Sequence, residues 1–244
     1  MRIAVAGATG TAGAAVVAQA RERGHQVVEL TRAAGVDLVS GAGLDALLPG
    51  ADAVVDLANT TTTSAAKSHA FFTAVTTGLL AAEARHGVGH HVALSIVGID
   101  EVAAGYYAGK HAQESAIASG PVPWSLLRAT QFHEFAEQSL GFAKAGRVSM
   151  VPFGHLQPVA VSEVATALVD LVEAGPSGRV QDLRGPRREL LVEMAKKVAA
   201  RRGTGQRVIG VPMPGGYGHA MRSGVLCGNN KARTGTITFE EWLG

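Results

Sequence analysis

Short apolar runs alternate with longer helical stretches through the first half of the chain. Residues 3–6 read Ile-Ala-Val-Ala and stop at Gly7, the pattern of a strand buried on both faces. A helix is predicted over 11–23, ended by Gly24. The same reading predicts strands at 26–31, 53–57, 91–96 and 124–128. Between them it predicts a short helix at 43–48, a long one at 65–85 and another at 106–119, closed by Gly120-Pro121. Regular alternation of this kind implies βαβ units. The expected fold class is α/β, a doubly wound parallel sheet of Rossmann type with helices on both faces.

Beyond residue 130 the pattern loosens. Helices are predicted over 132–145, 161–173 and 189–201, and strands over 148–151 and 179–183. Ser162 is the expected cap of the second of these helices, with Glu163 in its first turn. Prolines 212 and 214 with Gly215-Gly216 break the chain again, and no internal repeat is visible. The expected organisation is a nucleotide-binding core over 1–130. Residues 131–244 would add the remaining sheet elements and a small lobe capping the substrate, the two parts intertwined in one structural domain.

Composition narrows the class. Charged residues are only 17% and apolar residues 47%, which excludes a disordered chain. One cysteine, Cys227, excludes a disulfide scaffold and suits a reducing cytoplasm. The formal charge of +2 is too small for a nucleic-acid footprint. No run of about 18 apolar residues suggests a membrane span, and glycines 7, 10 and 13 interrupt the N-terminal run that superficially resembles a signal peptide. Glycine is abundant, at 31 residues, and none of the twelve aromatics precedes Phe71.

The chemistry starts at Gly7-Ala8-Thr9-Gly10-Thr11-Ala12-Gly13, between the first strand and the first helix. Glycines there permit a tight turn, close approach of backbone to a pyrophosphate, and close helix–strand packing. The helix N-terminus offers free N–H groups to phosphate. The end of the second strand selects the cofactor. An acidic residue there would favour NAD, but this chain has Leu30-Thr31-Arg32. The Arg32 fork, helped by Thr31, suits a 2′-phosphate, so NADP(H) is expected over NAD(H). Glu29 is the competing residue, nearer the strand middle. Asp37, Leu38 and Asn59 fall in loops at the same sheet edge; Asp37 is either a turn residue or an adenine contact.

Ser95 ends the fourth strand, and Tyr106 and Lys110 lie one helical turn apart on the next helix. A tyrosine with a pKa of about 10 is a poor acid unless a nearby ammonium stabilises its phenolate. Ser95 could polarise a carbonyl oxygen, and Lys110 could also hold the nicotinamide ribose. Tyr107 is a rival to Tyr106. These segments, with Ser95-Ile96-Val97-Gly98 and Leu127-Arg128-Ala129-Thr130-Gln131-Phe132-His133, resemble the atypical short-chain dehydrogenases of the NmrA-like NAD(P)-binding branch. The resemblance spans nearly the whole chain. It implies NADPH across the strand ends, the roles above for Ser95, Tyr106 and Lys110, and Ala129, Thr130 and Gln131 beside the nicotinamide. Many members of that branch lack the tyrosine, and some bind the nucleotide as sensors without turnover. The interval from Ser95 to Tyr106 is also slightly short.

Nine histidines show no ligand spacing, so no metal is expected; His133 is read as a helix-surface residue or a substrate contact. Gln131, Phe132, Phe153 and Tyr217 are candidate substrate contacts, with core packing as the alternative for the aromatics. The expected activity is NADPH-dependent reduction of a carbonyl, enone or quinone group on a lipophilic small molecule, by a cytoplasmic monomer or homodimer. The alternatives are an NADP(H)-sensing regulator without turnover and a same-fold epimerase or dehydratase.

Overall fold

The structure, a computed structural model, describes residues 1–102 and 105–244. In chain order the first strands and helices are β1 (Arg2–Ala6), α1 (Thr11–Glu22), β2 (Gln26–Leu30), α2 (Leu44–Leu47), β3 (Ala53–Asp56), α3 (Ala65–His86), β4 (His90–Ile96), α4 (Tyr106–Ser119) and β5 (Trp124–Ala129). There follow α5 (Phe135–Ser139), β6 (Lys144–Ala145), β7 (Val148–Pro152), β8 (His155–Leu156), α6 (Val161–Ala174), β9 (Gly178–Arg179), β10 (Leu183–Arg184) and β11 (Glu189–Leu190). The last are α7 (Leu191–Arg201), β12 (Arg207–Val211), α8 (Gly215–Ser223), β13 (Arg233–Thr234) and α9 (Phe239–Leu243).

The chain divides into two compact units that interleave in sequence. The first comprises Met1–Ser95, Ala103–Arg128 and Val164–Val180. Its strands run in the order β2-β1-β3-β4-β5, with β9 also on β5. β1 pairs in parallel with both β2 and β3, and β3 with β4. The chain therefore leaves β1 first to one side and then to the other. This Rossmann-like α/β sheet has its topological switch point between β1 and β3, where such folds open a crevice. Apart from Arg2 at the start of β1 and Asp56 at the end of β3, the two strands are apolar, because both faces of each are covered. One core cluster joins Ala4, Leu30, Val54, Leu44, Val75 and Leu79 on one side of the sheet.

Helices α3 and α4 pack side by side. A Cβ at Gly109 would meet the ring of Phe72 at 2.5 Å, so glycine is what lets α4 lie this close to α3. The Ser68 hydroxyl uses that proximity to donate to the Tyr106 carbonyl at 2.8 Å.

The second unit comprises Ile96–Val102, Ala129–Glu163 and Gln181–Gly244. Here Leu183 of β10 pairs with Ala129, and β13 pairs in parallel with β10. A small sheet in the order β12-β7-β6 and a β8–β11 pair complete it.

Several expectations for the second half fail. The helix expected over 132–145 shrinks to α5: Phe132 bridges to Val159, and Gly146, at φ +58°, turns the chain into the β6–β7 hairpin. The strand expected over 179–183 is two short pieces, because the chain leaves β5 between them: Val180 still donates to the Leu126 carbonyl, whereas Gln181 is exposed. The helix expected from 189 starts at Leu191, since Glu189 and Leu190 pair with β8. Ser162 is no cap, as α6 already includes Val161.

Candidate functional site

The first unit brings most of the expected residues to one edge of its sheet. Gly7 sits at the C-terminal end of β1 with φ +75°, and a Cβ there would stand 2.5 Å from the Leu57 carbonyl oxygen just past β3. The switch-point crevice thus starts with backbone against backbone, which only glycine allows. Thr9, Gly10 and Thr11 are exposed, Ala12 is half-buried and Gly13 is buried. Gly10 is the N-cap of α1, and no side chain caps that helix end. An uncapped N-terminus on an exposed glycine turn fits a pyrophosphate, since its first N–H groups have no side-chain acceptor.

Thr31 and Arg32 follow β2. The Thr31 hydroxyl accepts from the Ala34 N–H at 3.2 Å and so caps a short helical turn starting at Arg32. Arg32 is exposed. The rival Glu29 is held by Arg21 of α1 at 2.7 Å. Asp37 accepts from the Val39 N–H at 2.9 Å, and that bond holds its carboxyl below the usual range; it behaves as a turn residue. Leu38 is half-buried against the apolar cluster.

Asn59 and Tyr106 meet in a way the sequence did not suggest. The Tyr106 hydroxyl donates to Asn59 Oδ1 at 2.7 Å, while the same oxygen accepts from the Thr60 N–H at 2.8 Å. The Tyr106 ring stands edge-on to Phe72, with centroids 5.5 Å apart. Burial, helped by the negative charge of Asp56, pushes the phenol well above its ordinary value of 10. Lys110 is 4% exposed, and its ammonium donates to the Leu94 carbonyl at 2.7 Å and to Gln113 Oε1. It also stands 4.8 Å from the centre of the Phe72 ring. Burial lowers its pKa to about 8, against the opposing pull of Asp56 and Glu114. The expectation that Lys110 depresses the tyrosine pKa is therefore corrected. Tyr106 and Lys110 share a helix face, but their polar atoms have other partners.

Behind Lys110, Gln113 Nε2 donates to Asp56 Oδ2 at 2.8 Å, and Asp56 Oδ1 accepts from the Ala58 N–H at 3.0 Å. Sequence reading missed both residues. A lone carboxylate in the apolar run Ala-Val-Val-Asp-Leu, and a glutamine three positions after the lysine, were the available signals. Tyr107 is buried at 5% exposure, in contrast to half-buried Tyr106. Ser95 is buried, and its hydroxyl has no hydrogen-bond partner among the described residues. Buried hydroxyls are rarely left so.

The remaining candidates belong to the second unit. Thr130 is buried and donates its hydroxyl to the Gln157 carbonyl at 2.6 Å, so it is tied into its own loop. The Ala129 carbonyl accepts from the Val97 N–H at 3.0 Å. Gln131 is half-buried, with its Oε1 lacking a partner among the described residues. Phe132 is half-buried in the bridge to Val159, and Phe153 is 45% exposed. Burial pushes the Tyr217 phenol up to about 12. His133 departs from expectation: it is 1% exposed, hydrogen-bonded to the Ile237 carbonyl at 3.1 Å and packed against Phe239 and Trp242. The C-terminal helix α9 covers it. Among the described residues no His, Cys, Asp or Glu cluster could hold a metal, and no helix is long and apolar enough to cross a membrane.

No protein-family model matches the chain, and no curated protein matches it. Solved structures do. A GDP-6-OMe-4-keto-L-xylo-heptose reductase from Campylobacter jejuni superposes with a TM-score of 0.74 at 12% identity, over 99% of this chain and 95% of that one. UDP-glucose 4-epimerase from Thermotoga maritima gives 0.73 at 15% identity, over 100% and 96%. An NADPH-dependent quinone oxidoreductase from Escherichia coli gives 0.67 at 18% identity, over 99% and 98%. The chain has the fold that these reductases and epimerases share.

Proposed function

We propose that the protein is an NADPH-dependent oxidoreductase that reduces a carbonyl, enone or quinone group of a lipophilic small molecule. The observation that carries this reading is the shared sheet edge of the first unit. There an uncapped glycine turn and the exposed Arg32 follow β1 and β2, Ser95 lies near the C-terminal end of β4, and Tyr106 and Lys110 lie on the helix that follows β4. The structural likenesses include a quinone oxidoreductase and a keto-sugar reductase, which agrees with it.

In this reading the first-turn N–H groups of α1 hold the pyrophosphate, and Arg32 holds the 2′-phosphate as a bidentate fork. NADPH, when bound, supplies the hydride. Ser95 offers to the substrate oxygen a hydroxyl that has no partner among the described residues. Tyr106, kept protonated at neutral pH by burial, turns its O–H from Asn59 to that oxygen as negative charge gathers on it. Lys110 uses two of its three donors within the protein and gives the third to a ribose hydroxyl. The single buried Cys227 suits a reducing, cytoplasmic setting.

Two second readings have specific support. The pairing of Tyr106 with Asn59, and not with Lys110, favours binding without turnover, as a sensor of NADP(H) would show. The epimerase likeness favours turnover with no net change in the nicotinamide. A panel of quinones, enones and ketones with NADPH separates the three. Oxidation of NADPH that falls at least about tenfold in Tyr106→Phe supports the reductase. Tight binding with no turnover on any acceptor supports the sensor.

A further inference from the structure

Three side chains from two elements form an enclosed polar chain: Lys110 and Gln113 of α4 and Asp56 of β3, at 4%, 1% and 0% exposure. Its polarity is set by chemistry. An ammonium can only donate, so Gln113 presents its oxygen to Lys110 and its amide nitrogen to Asp56. The carboxylate is further held by the Ala58 N–H, and the ammonium by the Leu94 carbonyl. A buried ammonium and a buried carboxylate are each costly alone, and the glutamine links them into one neutral unit.

We propose that Gln113 and Asp56 are positioning residues for Lys110, keeping its ammonium charged and directed along α4 while it serves the cofactor site. The inference rests on the reading of Lys110 as a ribose-holding lysine, and it adds what governs that lysine. The other charged groups around the chain are accounted for. Glu114 of α4 is bound by Arg128 of β5 at 2.9 and 2.6 Å. Glu83 of α3 and His91 of β4 pair with each other at 2.9 Å in full burial. α3 otherwise presents to Lys110 the apolar face of Phe72. Asp56 is thus the acid whose charge Lys110 meets through a single intervening side chain.

The test is a 13Cε-lysine NMR titration of the full chain, with NADPH oxidation measured over the same pH range. Asp56→Asn keeps an acceptor for Gln113 but removes the charge. The Lys110 midpoint is expected to fall by at least about one pH unit, and the alkaline limb of kcat/KM to fall with it. In a Lys110→Met background, Asp56→Asn is expected to have no further effect on activity. Gln113→Met, of similar volume, is expected to lower the midpoint in the same direction and stands in if Asp56→Asn does not fold. An unchanged Lys110 midpoint in either variant overturns the proposal, as does an activity loss of equal size at every pH and in both backgrounds. A wild-type chain that oxidises no NADPH would sink the reductase reading alone, because the NMR midpoints still decide the coupling.

Discussion

Asp56 and Lys110 are both charged residues in fully enclosed positions, and each is tolerated because the other exists. The lysine still bears a cost. Its folded pKa of about 8 lies below its ordinary 10.5, so between these values the unfolded chain binds more protons than the folded one. Stability therefore gains from rising pH across that window, by up to about 1.4 kcal/mol per pH unit from this group. Urea midpoints of wild type minus Lys110→Met should rise from pH 8 to 10.5, and a flat difference would contradict the assignment. Arg32 is a different case, exposed and read as a phosphate fork. Arg32→Ala should weaken NADPH binding by about 10- to 100-fold, the loss of charge-assisted hydrogen bonds, and leave NADH affinity within about threefold. Fluorescence titration of both nucleotides checks it. Tyr106→Phe should lower turnover with NADPH affinity nearly unchanged, since the lost hydroxyl bonds Asn59 and not the glycine turn. Glycine loop, Arg32 and Tyr106 were all legible from the sequence. Asn59 as partner of Tyr106 was not, because the two are 47 positions apart and joined only by packing.

At the level of elements, the first half follows its periodicity closely. α4 runs from Tyr106 to Ser119 as predicted, and the strands fall within a residue or two of expectation. Strands buried on both faces announce themselves as unbroken apolar runs. The pairing of α3 with α4 depends on one residue the periodicity ignores. Gly109→Ala should place a methyl against Phe72 and Ser68 and lower stability by about 1–3 kcal/mol, read as a fall in Tm. It should also disturb Lys110, its neighbour on the helix. The second half was legible only in fragments. Its strands are mostly two residues long, too short to carry a period, and they are defined by partners such as Ala129 for Leu183 and Leu156 for Glu189. The stretch over 132–145 has helix-forming composition, yet the Phe132 bridge and the turn at Gly146 outweigh local preference.

For the whole molecule, cofactor binding should appear as stability. NADPH at about 100 times its Kd should stabilise the chain by about 2.7 kcal/mol, or roughly 5–10 °C in Tm for a protein of this size. NADH at the same concentration should give a smaller shift; no shift with either would remove the dinucleotide reading. The sequence by itself determined the parallel α/β class, the glycine turn and the residues that follow each strand. Those features are local: a strand, its loop and its helix are contiguous, and period, glycine placement and strand-end chemistry are written along the chain. Only the tertiary structure decided the partners. It joined Tyr106 to Asn59 and Lys110 through Gln113 to Asp56, left the Ser95 hydroxyl without a hydrogen-bond partner among the described residues, and placed His133 under α9. Those outcomes depend on which buried donor meets which acceptor once distant segments pack, and burial makes each such match costly to miss.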